Sequence, residues 1–171
     1  QLKNEDSLRV AKEHFNQMKE KHIIKQDDQE CFYIYRIQSQ SHIQTGFLSI
    51  TKIDNYINKL IKGHELIYEN RMQERADQML NLETQIGPIY VSYKDNADLD
   101  NFINQLTISS IPQYDFKAFD ESQHTLWCIE DDEYKNKIID LSEHIDSFYI
   151  ADGHHRMGAL NKLLNYKLSK N

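Results

Sequence analysis

The sequence predicts an α+β domain, and three observations carry that prediction. Apolar residues switch between helical and strand spacing along the chain. The helices and strands follow no regular βαβ order. Two pairs of short aromatic and β-branched runs are joined by brief polar links, the pattern of hairpins. At 171 residues the chain suits one domain, expected over 1–171. A chain of this length buries roughly two-thirds of its unfolded surface, enough for a core.

The elements follow in order. Leu8, Val10, Ala11, Phe15 and Met18 stand at helical spacing within 7–24, with charges between them. Residues 31–37 alternate and are rich in aromatics, which predicts a strand, and 39–41 link it to a second strand over 45–50. Residues 51–61 predict a helix, with Thr51 as N-cap and Ile53, Tyr56, Ile57, Leu60 and Ile61 on one face. A charged helix follows over 70–82, Gly87-Pro88 breaks it, and 89–93 is a strand. The rest reads as a helix over 98–106, a hairpin from 113–119 and 124–129, a helix over 131–141, a strand over 147–151 and a helix over 153–164.

Composition narrows the function. A net charge of −7 argues against a duplex-binding protein, which normally carries a basic face, so no DNA partner is expected. A local basic pocket for a small anion remains compatible with it. No apolar run approaches the roughly 20 residues that span a bilayer, and no signal peptide is visible, so no membrane partner is expected. Cys31 and Cys128 lie in strand-like runs and read as buried thiols of a reducing, cytoplasmic compartment. Both ends read as cuts through a longer protein.

Chemistry concentrates in two places. The first is the corner at 149–160, where the apolar run FYIA meets Asp152, Gly153, His154, His155 and Arg156 before a small-residue helix pattern. A helix start exposes unpaired N–H groups at the positive end of the macrodipole. Gly153 lets backbone approach a ligand, Arg156 brings a planar cationic fork, and the two histidines add donors that titrate near neutrality. Asp152 can orient a histidine or hold Mg²⁺ through water. The set suits a polyphosphate. Its plainer reading is Asp152 as an N-cap paired with Arg156 one turn on. Zinc is disfavoured, because adjacent helical residues diverge by about 100° and no third ligand stands near.

The second place is Lys62-Gly63-His64-Glu65, read as a break between two helices, where Glu65 can act as a general base. Glu69, Arg71, Glu74 and Arg75 follow at helical spacing, a pattern that most often marks a solvated face. Gly87-Pro88 reads as a turn without chemistry, Trp127 as core and His124 as unassigned.

Taken together, FYIYR, QTGFLSI, IKGHE, ERADQM, IGPIYVSY, HTLWCI and FYIADGHHR resemble the DUF1015 proteins, a bacterial and archaeal family of unknown function, over about residues 8–165. The family is related in turn to the free serine kinases, which have a ParB/sulfiredoxin-like fold. That resemblance implies a mixed sheet with flanking helices and phosphoryl transfer from ATP or ADP, with Mg²⁺, to a small hydroxylated metabolite such as free L-serine. Glu65 resembles the base, and Asp152 the acid beside the metal and the transferred phosphate. Gly153, His154, His155 and Arg156 resemble the phosphate-holding loop, with His154 also counted as catalytic. His64, Arg71 and Arg75 are the substrate-side candidates. Ile67 and Tyr68 depart from the family's usual threonine and arginine. The rival expectation is a ParB-like nucleotide-binding switch without metabolite kinase activity. A sulfiredoxin-type redox reaction lacks its cysteine at 152–156, and a scaffold whose partner half carries the chemistry is the plainest alternative.

Overall fold

The computed structural model describes residues 4–170 and confirms an α+β fold. The chain forms two compact units of interleaved segments: Gln1–Asp27, Lys52–Ser92 and Ser147–Asn171 in the first, Asp28–Thr51 and Tyr93–Asp146 in the second.

In the second unit, β1 (Phe32–Ser39) and β2 (His42–Leu48) form the first expected hairpin, with Tyr33 opposite Leu48 and Ser39 opposite His42. The later hairpin pairs β5 (Tyr114–Lys117) with β6 (Gln123–Ile129), and β6 lies antiparallel to β1. The resulting order is β2-β1-β6-β5. Two helices complete the unit, and both start on a capping side chain. Asn96 accepts the Leu99 N–H ahead of α4 (Ala97–Ser109), and Asp131 accepts those of Glu133 and Tyr134 ahead of α5 (Asp132–Glu143). Ile34, Leu99, Trp127 and Ile138 are buried. Trp127 is core as expected, its indole N–H donating to the Ser110 carbonyl at 3.2 Å and its ring facing the Arg36 guanidinium.

The first unit holds α1 (Asn4–Glu20), α2 (Asp54–Ile57), β3 (Ile61–Lys62), α3 (Glu69–Leu82), β4 (Tyr90–Tyr93) up to Ser92, β7 (Phe148–Asp152) and α6 (His154–Leu168). Its sheet has the order β3-β7-β4, with β7 in the middle. β3 runs parallel to β7, Ile61 beside Phe148 and Lys62 beside Tyr149. Buried Ile61, Ile150 and Met157 pack with Ile89 and Val91. Ala76 and Met79 of α3 meet Ala159 of α6.

The helix expected over 51–61 shrinks to the single turn of α2. Its N-cap is Ile53, without a side-chain bond, so Thr51 does not cap it. Lys59 takes a left-handed conformation (φ 61°) that ends the turn. The chain then reaches the parallel position beside β7 and becomes β3. Long-range pairing therefore overrides an apolar periodicity that is helical when read locally. Lys62-Gly63-His64-Glu65 consequently leaves a strand and does not break two helices.

Candidate functional site

Because β3 and β7 are parallel neighbours, Gly63–Glu65 and Gly153–Arg156 emerge at the same, C-terminal end of the sheet. This is where ligands commonly bind in sheets with parallel strands. The pairing joins the two motif clusters, which lie about 90 residues apart in sequence.

His154 makes the direct connection. It is only 3% exposed, and its Nε2 accepts the His64 backbone N–H at 3.3 Å. An accepting Nε2 places the ring proton on Nδ1. Nδ1 lies 3.1 Å from a Glu65 carboxylate oxygen, on a side chain that remains 53% exposed. The His64 ring meets His154 edge-on, with centroids 4.7 Å apart. A Cβ at Gly63 would stand 3.3 Å from His154 Cδ2, so a larger residue here would press on the buried imidazole. His154 thus faces inward onto the 63–65 loop, and Glu65 is held in place yet open to solvent.

Arg156 organises the other side of the corner. α6 starts from Gly153 at φ 102°, and no side chain caps it. Asp152 ends β7 and pairs with the Arg156 guanidinium, so it is not the N-cap. The guanidinium also lies against two glycines in left-handed conformations. A Cβ on Gly153 would come within 2.9 Å of Arg156 Nε, and one on Gly87 within 2.8 Å of an Arg156 terminal nitrogen. Gly87, read from the sequence as a plain turn, is therefore part of the arginine's seat. The Gly-Pro dipeptide was the available signal, since a left-handed glycine beside a proline is a backbone commitment that a neighbouring side chain can exploit. Arg156 Nε is buried without a hydrogen-bond partner. An orphaned guanidinium N–H of this kind suits a bound oxyanion or water.

His155, one residue from His154, points elsewhere. Its Nε2 accepts the Tyr68 backbone N–H at 3.2 Å, and the two rings stack with 9° between their planes. His155 lines an open pocket of about 260 Å³ with Arg71, Glu74 and Arg75 of α3. The structure thus brings two substrate-side candidates, Arg71 and Arg75, to the DGHHR corner. His64 joins it through His154. Glu74, read from the sequence as part of a solvated helix face, also lines this pocket, and Tyr68 supports both His155 and the Arg71 guanidinium, 5.7 Å from its ring centroid.

Among the described residues no group of three or more histidines, cysteines or acids is placed to hold a metal ion. Asp152, with 73% of its side chain exposed, suits the single-carboxylate mode in which Mg²⁺ is otherwise held by substrate phosphates and water. In the second unit, His124 sits between the Tyr35 hydroxyl (2.5 Å) and the Ser122 hydroxyl (2.7 Å) and stacks on Phe116. Ser122 donates its hydroxyl and backbone N–H to Asp120, and these bonds hold that carboxyl below its ordinary pKa.

Among the described residues no helix is long and apolar enough to cross a membrane. Neither the curated proteins nor the solved structures contain a match to the chain. The model of a family of unknown function, DUF1015, matches residues 1–170. With essentially its whole length covered, and with both motif clusters gathered at one end of a sheet, this chain belongs to the DUF1015 family.

Proposed function

We propose that the protein is a metal-assisted phosphotransferase acting on a small hydroxylated metabolite, free L-serine being the leading acceptor, with ATP or ADP as donor. The observation that carries this reading is the meeting of Glu65, positioned by His154, with the anion-suited Arg156 corner across the β3–β7 pair. Phosphoryl transfer asks little covalent chemistry of a protein. It needs positioned phosphates, neutralised charge and an acceptor for the hydroxyl proton. In this reading Arg156 and the first turn of α6 hold the donor phosphates. Glu65 takes the acceptor's proton, being exposed enough to reach a substrate. Asp152 would hold Mg²⁺, which supplies charge neutralisation when bound. His154 acts by orienting Glu65, since both of its ring nitrogens face the protein's own groups. Kinship with the free serine kinases and their ParB/sulfiredoxin-like fold belongs to the same proposal. So does a cytoplasmic location, which the thiols of Cys31 and Cys128, partly exposed where the sequence predicts burial, suit.

Phosphorus NMR of the protein with Mg²⁺, L-serine and ATP or ADP tests the reading. The expected result is a phosphoserine signal. Glu65→Gln should lower its rate about 10²–10⁴-fold, the usual worth of a general base, while nucleotide binding persists. Nucleotide lines broadened by binding, with no new phosphoester, would overturn the kinase reading in favour of a nucleotide-binding switch.

A further inference from the structure

The pocket on α3 has a composition that the phosphate corner does not explain. Arg71, Glu74 and Arg75 line it together with His155. On a solvated helix face, Arg71 and Glu74, three residues apart, would ordinarily pair. Among the described residues neither arginine nor Glu74 makes an ion pair, whereas Glu69 of the same helix is taken by Lys162. The basic groups are nonetheless held. Arg71 lies over the Tyr68 ring, Arg75 donates to Gln78 at 3.1 Å, and His155 is fixed by the Tyr68 N–H and ring. Because His155 Nε2 accepts, its proton sits on Nδ1, a donor with no partner among the described residues. The pocket therefore offers two guanidinium forks, one imidazole N–H and one carboxylate.

We propose that this pocket binds a free α-amino acid as its zwitterion, the carboxylate on Arg71, Arg75 and His155 and the ammonium on Glu74. Two forks suit a carboxylate in bidentate geometry. A bare oxyanion or a phosphate chain would gain nothing from Glu74 and would be repelled by it. The volume, about 260 Å³, falls below the roughly 300–1,000 Å³ of pockets for drug-sized ligands and fits a small metabolite. The adjacency of His154 and His155 links this pocket to the loop that carries Glu65. The inference deepens the phosphotransferase reading by assigning the acceptor's carboxylate and ammonium to named side chains, and it rests on that reading only for the pocket's role in catalysis.

The test is a titration of the ¹⁵N-labelled full chain, without nucleotide, following amide and arginine side-chain signals and the His155 ring. L-Serine should give saturable shifts at Arg71, Arg75 and His155. Serinamide, which lacks the carboxylate, should bind at least tenfold more weakly, and so should L-serine to Arg75→Gln. Glu74→Gln should weaken L-serine but leave 3-hydroxypropanoate, which has no ammonium, unchanged or tighter. An equal response to L-serine and serinamide, L-serine affinity unaltered in Arg75→Gln, or no saturable shift would overturn the proposal. Inorganic phosphate binding as tightly as L-serine would overturn it too, marking an oxyanion subsite. The two readings fail separately: specific serine binding without phosphoserine in the phosphorus experiment would sink only the kinase.

Discussion

Replacing His154 separates its two contacts, because glutamine and asparagine each preserve one of them. Gln places an acceptor near the position of Nε2 and keeps the His64 N–H satisfied, but it removes the Nδ1–H facing Glu65. Asn places a donor near Nδ1 and leaves the His64 N–H unmet. A polar contact to a charged group is worth about 1.5–3 kcal/mol. Glu65 is 53% exposed, so water recovers part of that, and His154→Gln should cost about 1 kcal/mol. His154→Asn forfeits a neutral bond of about 0.5–1.5 kcal/mol. His154→Ala loses both and opens a cavity at a site only 3% exposed, so it should cost about 3 kcal/mol or more. Against a total stability of about 5–15 kcal/mol these differences are easily seen. Urea unfolding reads them: with m of about 1–3 kcal/mol/M, 1 kcal/mol moves the midpoint by roughly 0.3–1 M. Long-range ¹H–¹⁵N spectra of the imidazoles report the tautomer directly. A proton on Nε2 of His154 would refute the reasoning, because that nitrogen could not then accept the His64 N–H. So would a Gln variant as unstable as the Ala variant.

Two further outcomes follow from the same geometry. Gly87→Ala combines a left-handed backbone (φ 80°) with a Cβ 2.8 Å from Arg156. It should cost about 1–2 kcal/mol and weaken nucleotide binding by displacing the guanidinium, whereas Gly46→Ala, with open space around its Cβ, should be neutral or slightly stabilising; thermal unfolding and nucleotide titration of both variants check this, and equal behaviour would contradict it. Asp120 has a folded pKa below its ordinary 3.8 because Ser122 donates to it. The unfolded chain therefore takes up protons first as pH falls, so this stabilisation is complete above pH 3.8 and lost below it. Asp120→Asn should be less stable than the parent at neutral pH and approach it in acid, and a deficit in urea midpoint that stayed constant down through the acid range would argue against the Ser122 contact.

The local chemistry was legible in the residues. Both hairpins, the helices after Asn96 and Asp131 and the strand-to-helix corner at Gly153 follow from alternation, capping and glycine, which act over a few neighbours. The candidates Glu65 and Arg156 were legible for the same reason: their residue types and immediate neighbours announce what they can do. Three matters were decided only by the tertiary structure. Residues 61–62 became a strand because β7 offered a parallel partner, and no local pattern reports a partner nearly 90 residues away. The two histidines diverged, His154 inward to Glu65 and His155 to the α3 pocket, because successive helical side chains point about 100° apart and only packing decides which one is buried. Gly87 became the seat of an arginine because its missing side chain left room for a guanidinium that arrives from α6. In each case the deciding energy is a contact between segments distant in sequence, and it exists only once the chain has folded.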